Sequence, residues 1–184
     1  MMQPQRMTSS DTRSHFVHEV TAEINTWVDA LAKIDILRPL SRVQRLLVGL
    51  QGKETTLPAK HVLGVPGGCF NKLFLIVEGD VVLTVPTTSG YRVVHHVRAG
   101  DAFPLSLLFG EEKVWTRACT TETTRVLMLD PEQLLILCGE RPDIGSALFA
   151  SAGRVMSKKH TTMLRTLSKM PERGAELSEL WALA

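Results

Sequence analysis

His95 and His96 stand side by side in "YRVVHHVR", residues 91–98, and adjacent histidines are the first place to look for metal chemistry. Their spacing argues against it. Neighbouring residues of a strand point to opposite faces, so two consecutive imidazoles cannot close on one ion. One is expected to face inward and the other outward, and no metal ligand set is assigned. Cys69, Cys119 and Cys138 are odd in number and widely spaced, matching neither a disulfide framework nor a CxxC site. Buried or inert thiols in a reducing compartment are the expectation. "GGCF", residues 67–70, lacks the Lys-Ser/Thr of a phosphate loop and reads as a turn. No nucleophile has an activating base in view, so no catalytic residue, cofactor or enzyme activity is assigned.

The elements that would position these residues change character twice along the chain. Residues 1–12 are polar and predict a disordered start, with Ser10 or Asp11 available to cap a helix. Phe16, Val20, Ile24, Trp27, Val28 and Leu31 recur three or four apart, which predicts a helix over about 13–33. Pro39 breaks the chain, and Ser41 caps a second helix carrying Val43, Leu46, Leu47 and Leu50. From residue 54 the period becomes two. "KHVLGV", "KLFLIVEG", "DVVLTVP", "YRVVHHVR" and "TTRVLMLD" alternate with turn signals, and "VVLTVPTTSGYRVVHHV" is the clearest hairpin. Asp130 then caps a helix with Pro131 at its first position, Pro142 restarts a long helix, and Pro171 and Gly174 end it. The divisions are 13–52 for the first helices, 53–130 for a β-roll, 131–170 for the later helices and 171–184 for a tail helix.

The helix–β–helix order, together with "LFLIVEGDVVLTV" and "AGDAFPLSLLFGEE…RVLMLDPEQLLIL", resembles the cyclic-nucleotide-binding domain of kinase regulatory subunits, gated channels and bacterial catabolite activators. The similarity spans about residues 30–165. It implies an α+β fold: a double-stranded jelly roll, or β-roll, of about eight strands flanked by helices. In ligand-binding relatives a Gly-Glu-Leu-Ala segment and an Arg-x-Ala segment hold the ribose and the cyclic phosphate. Here an ungapped alignment puts Pro104 at the glycine, Leu105 at the glutamate and Val114 at the arginine. Leucine accepts nothing from a hydroxyl, proline removes an N–H, and valine cannot pair with a phosphate. Lys113, or Arg117 in the next strand, would substitute only after a loop shift.

The resemblance therefore implies a degenerate cassette, with Phe103, Pro104, Leu105, Ser106, Leu107, Lys113, Val114, Trp115 and Arg117 as pocket candidates. The expected function is a non-catalytic regulatory or protein-interaction module that does not bind cyclic AMP or cyclic GMP in the usual way. The alternative is a sensor for a nucleoside, an unusual nucleotide or another small molecule, for which the remodelled cassette favours an uncharged, apolar ligand. An open cavity lined by Leu105, Leu107 and Val114 would favour the sensor. One filled by Trp181 or by the cassette's own leucines would favour the module.

Phe149, Met156, Met163 and Met170 recur every seven residues. They form either a face packed on the chain's own β-domain or the seam by which bacterial relatives dimerise. For Trp181, in "LSELWALA", the resemblance implies a residue that caps or fills the pocket, and the alternatives are a partner-binding or simply exposed tail. With 44% hydrophobic and 22% charged residues and a net charge of +2, the composition is that of an ordinary globular chain without a nucleic-acid footprint. No apolar run approaches a bilayer span, and no secretory stretch opens the chain, which predicts a cytoplasmic protein away from membranes. About a dozen residues follow Pro171, too few for a winged helix-turn-helix. The partners expected on this basis are an unknown protein or a second copy, and not DNA.

Overall fold

Ser41 shows how the sequence starts its helices. Its side chain accepts from the Gln44 N–H at 3.3 Å, and the Gln44 Oε1 accepts from the Ser41 N–H at 2.7 Å. This reciprocal box opens α2 (Arg42–Gly49) and is preceded by α1, helical over residues 24–31, and by a 3-10 turn, Asp35–Leu37. The computed structural model describes residues 24–88 and 90–167. The helix expected upstream of residue 24, its caps at Ser10 or Asp11, and the tail with Met170 and Trp181 lie outside them.

Eight strands follow: β1 (Gly52–Leu57), β2 (Val62–Gly64), β3 (Leu73–Glu78), β4 (Asp80–Thr87), β5 (Gly90–Arg98), β6 (Ala102–Phe103), β7 (Arg117–Thr120) and β8 (Thr124–Leu129). They form two antiparallel four-stranded sheets, in the orders β1-β8-β3-β6 and β2-β7-β4-β5. The helices α3 (Pro131–Glu140) and α4 (Pro142–Leu167) complete an α+β arrangement, the β-roll expected from the sequence. Gly153 does not interrupt α4.

Strand β3 explains why part of the roll reads as a solid apolar run. Its first four residues, "LFLI", are all buried because its sheet is covered on both faces. Leu73 and Leu75, with Leu127 and Leu129 of β8, pack among Ile34, Ile36, Leu37, Leu134, Ile144 and Leu148 of the helical layers. Phe74, Ile76 and Val126 point the other way, into the roll, against Val81, Val97 and Ala118 of the second sheet. That second sheet covers only one side, so β7 alternates half-buried and buried residues.

Gly79 makes the turn from β3 to β4. Its φ is +98°, and a Cβ there would lie 2.8 Å from the Thr124 Cα, so both conformation and space require glycine. At the far end of the roll, Asp130 caps α3 by accepting from the Glu132 and Gln133 N–H groups at 3.0 and 3.4 Å. Lys72 Nζ lies 2.6 Å from its other carboxylate oxygen, and this hydrogen bond is the main reason the Asp130 carboxyl sits below its ordinary range.

Candidate functional site

The pocket begins with an irregularity in a hairpin. Leu83 of β4 pairs with His95, but the next residue, Thr84, pairs with Val93, so Val94 is an extra residue in β5. Such a bulge re-aims the side chains around it. Val94 packs toward the interior, His95 and Val97 face into the roll, and His96 faces out. The expected split of the two histidines is what the strand shows.

After β5 the chain turns at Gly100, whose φ is +96° and whose missing Cβ leaves room for the Lys33 carbonyl. Asp101 closes this turn by accepting from the Arg98 N–H at 3.0 Å. Strand β6 then delivers Phe103 and Pro104 into a short 3-10 helix, Leu105–Phe109, ended by Gly110 in the left-handed conformation. In a 3-10 helix positions i and i+3 eclipse, so Leu105 and Leu108 share the helical-side core while Leu107 turns into the roll. The following loop is tied down: Phe70 N–H donates to the Glu112 carbonyl at 2.9 Å, and Gly67 N–H to that of Val114 at 2.7 Å. "GGCF" is thus a turn that holds Lys113 and Val114 in place.

These elements enclose an open cavity of about 350 Å3. Its wall is largely apolar: Leu83, Val97, Ala102, Phe103, Pro104, Leu105 and Val114, with Met156 arriving from α4. Ser106 and Thr116 contribute hydroxyls, and Glu111, Lys113 and Trp115 stand at the exposed rim. Trp115 is 75% exposed. The volume falls within the range of small-molecule sites. Leu105 and Val114, at the places where the resemblance would put an acid and an arginine, form wall and leave the space open.

The charges around the cavity are mostly committed. Lys159 of α4 pairs with Asp101 at 3.0 Å, joining that helix to the turn before β6. The Glu111 carboxylate accepts from the Lys113 N–H at 3.1 Å. Outside the pocket, His96 Nδ1 lies 2.9 Å from Asp80, which also accepts from the Thr121 hydroxyl at 2.8 Å. Burial works to raise the Asp80 pKa, but these hydrogen bonds and the charges of His96 and Arg98 prevail and lower it. His95 is different. Its Nε2 is buried without a hydrogen-bond partner, and burial first, then the charge of Lys159, pushes its pKa below the ordinary value.

Of the residues expected here, Phe103, Pro104, Leu105, Ser106, Lys113, Val114 and Trp115 come together around the cavity. Two do not. Leu107 belongs to the roll interior and lines a separate cavity of about 350 Å3 beside Cys69, Lys72 and Asp130. Arg117 lies on β7, with its guanidinium 5.5 Å from the centre of the Tyr91 ring, and does not replace an arginine in the cassette. Met156 is pocket wall, and Phe149 packs edge-on against Phe109 with ring centres 5.8 Å apart, so both face their own domain. The Met163 side chain, Met170 and Trp181 lie outside the described residues. Cys69 is exposed rather than buried, while burial raises the Cys138 thiol pKa. No cluster of three or more His, Cys, Asp or Glu among the described residues could hold a metal ion. Nor is any described helix long and apolar enough to cross a membrane.

No protein-family model and no curated protein sequence matches the chain. Solved structures do. A cyclic nucleotide-binding domain from Methylobacillus flagellatus KT superposes with a TM-score of 0.71 at 15% identity, over 84% of this chain and 88% of that one. The N-terminal domain of a transcriptional regulator from Streptomyces coelicolor A3(2) gives 0.63 at 20% identity, over 73% and 94%. The catabolite activator protein of Thermus thermophilus gives 0.61 at 22% identity, over 73% of this chain but 63% of that one. The chain has the cyclic-nucleotide-binding fold, a fold that serves regulatory proteins. This also corrects the partner expectation, which excluded DNA in favour of a protein or a second copy. In two of these neighbours the same fold is one part of a longer regulator, so the short stretch after Pro171 excludes nothing about DNA, and the fold alone shows no DNA partner.

Proposed function

We propose that the chain is a non-catalytic regulatory sensor domain whose pocket takes a small, mainly apolar molecule in place of a cyclic nucleotide held by its phosphate. One observation carries this reading: the cavity beside the 3-10 helix is open, and Leu105 and Val114 form its wall instead of filling it. Fully burying a phosphate against leucine and valine without a paired cation costs several kcal/mol, about the whole binding energy of a millimolar ligand. Lys113 is at the rim and exposed, where its attraction for an anion is weak. The 3-10 helix has five residues and a proline, Pro104, as the residue that precedes it, which offers a phosphate little in the way of aligned N–H donors. The similarity to regulatory and cyclic-nucleotide-binding structures supports the sensor role and leaves the ligand to the pocket's own chemistry.

Calorimetric titration tests this with cyclic AMP, cyclic GMP, adenosine and guanosine, alongside naphthalene as a neutral apolar probe. The expected result is binding of naphthalene that is lost in Val114→Phe, with no cyclic-nucleotide binding tighter than millimolar. Micromolar binding of either cyclic nucleotide would refute the reading. So would failure of the apolar probe to sense Val114→Phe, with circular dichroism confirming that the variant is folded.

A further inference from the structure

His95 brings a buried ring nitrogen to the wall of this pocket. Its Nε2 is buried and unpartnered, while the polar groups of its neighbourhood are engaged: Lys159 with Asp101 at 3.0 Å, and Asp101 also with the Arg98 N–H at 3.0 Å. Buried polar atoms in folded proteins nearly always find a partner, so an orphan on a pocket wall marks where one is supplied from outside. The backbone fixes its position. The bulge at Val94 and the cross-strand pairing with Leu83, itself a wall residue, hold the imidazole on the wall of a largely apolar cavity.

We infer that His95 is the polar anchor of the pocket, and that the ligand offers it one neutral hydrogen-bonding group, such as a hydroxyl or carbonyl, on an apolar body. This deepens the sensor reading and rests on it. The groups facing His95 keep the ring uncharged near neutral pH: burial, Lys159 from α4, and His96 and Arg98 from its own strand act together, and Asp101 from the turn opposes them only in part. A neutral imidazole carries one donor and one acceptor nitrogen, so Nε2 alone makes one directed hydrogen bond, and the ring gives a carboxylate or phosphate no countercharge. The ligand class follows: uncharged, and apolar except at one oxygen or N–H.

Three probes separate the possibilities. 2-Naphthol carries the neutral group, naphthalene lacks it, and 2-naphthoate replaces it with an anion. In the wild-type chain 2-naphthol should bind roughly 10-fold more tightly than naphthalene, the worth of one well-made hydrogen bond. The advantage should fall to about onefold in His95→Phe and be partly kept in His95→Gln, which retains a donor and an acceptor. An advantage that survives His95→Phe would overturn the anchor, as would tighter binding of 2-naphthoate than of 2-naphthol. In either case naphthalene binding that is still blocked by Val114→Phe would leave the sensor reading standing. If naphthalene and 2-naphthol both fail to bind the wild type, the pocket reading falls and the anchor falls with it.

Discussion

The two apolar clusters on either face of sheet β1-β8-β3-β6 end in different states. On the helical face, Leu73, Leu75, Leu127, Leu129, Leu134, Ile144 and Leu148 are all sealed at 0% exposure. On the roll face, Phe103, Val114 and Leu83 keep 8–9% exposure because they border a cavity. One face has been closed by α3 and α4, and the other left open by a short 3-10 helix and a tied loop. The proposed pocket thus lies on the roll side of the sheet, and substitutions on the two sides should cost very different amounts.

Leu127→Ala should break the comparison most visibly. It removes a fully enclosed side chain and should cost about 3 kcal/mol in urea denaturation, because the surrounding layers cannot collapse onto the gap. Gly79→Ala should follow, at about 2 kcal/mol, since the positive φ and the Thr124 backbone both oppose a Cβ. Val114→Ala should cost about 1 kcal/mol, close to the transfer of its methyl groups alone, because the space it vacates joins an existing cavity. A loss as large as that of Leu127→Ala would mean the roll face is as closed as the helical one. Ser41→Ala should cost least, about 0.5 kcal/mol, as an exposed cap.

Acid sharpens the same contrast. His95 binds protons less readily folded than unfolded, so its contribution is complete above its ordinary value of 6.5 and is lost as pH falls below it toward the folded value. Asp80 is also depressed, so its contribution is complete above 3.8 and is lost as pH falls through its lower folded value. Unfolding free energy should therefore decline in two stages on acidification. His95→Phe should remove the first stage and leave the second, as read by denaturation curves between pH 8 and 3. A single stage in the wild type would contradict the buried placement of His95.

The sequence made some of these elements easy to read and others not. Strands β3, β4, β5 and β8 were plain because apolar runs and turn glycines bracket them, and the Asp130-Pro131 start of α3 is a strong local signal. Strand β6, two residues long, has no period to detect, and β7 was visible only as the place where Arg117 belonged. In the site, the near wall followed from contiguous residues at 103–106 and 113–115. The far wall did not. Met156 and Lys159 come from α4, more than fifty positions beyond His95, and only the packing of that helix on the roll brings them in. Leu107 followed from the resemblance as part of one contiguous cassette, but the 3-10 helix turns it into the roll while Leu105 stays on the pocket wall. His95 was half visible: alternation put one histidine inside, but not the bulge that leaves its nitrogen without a partner.

Trp115 and Trp27 give the molecule an indole on each side of this divide. Trp27 packs against the sealed helical cluster, whereas Trp115 stands 75% exposed over the cavity mouth. Their light emission will differ accordingly, blue-shifted and shielded from iodide for the first, red-shifted and freely quenched for the second. In a Trp181→Phe background, excitation at a single wavelength would follow both halves at once. Iodide quenching would track what sits in the mouth of the roll, while the blue band would report only when the helical layer comes apart.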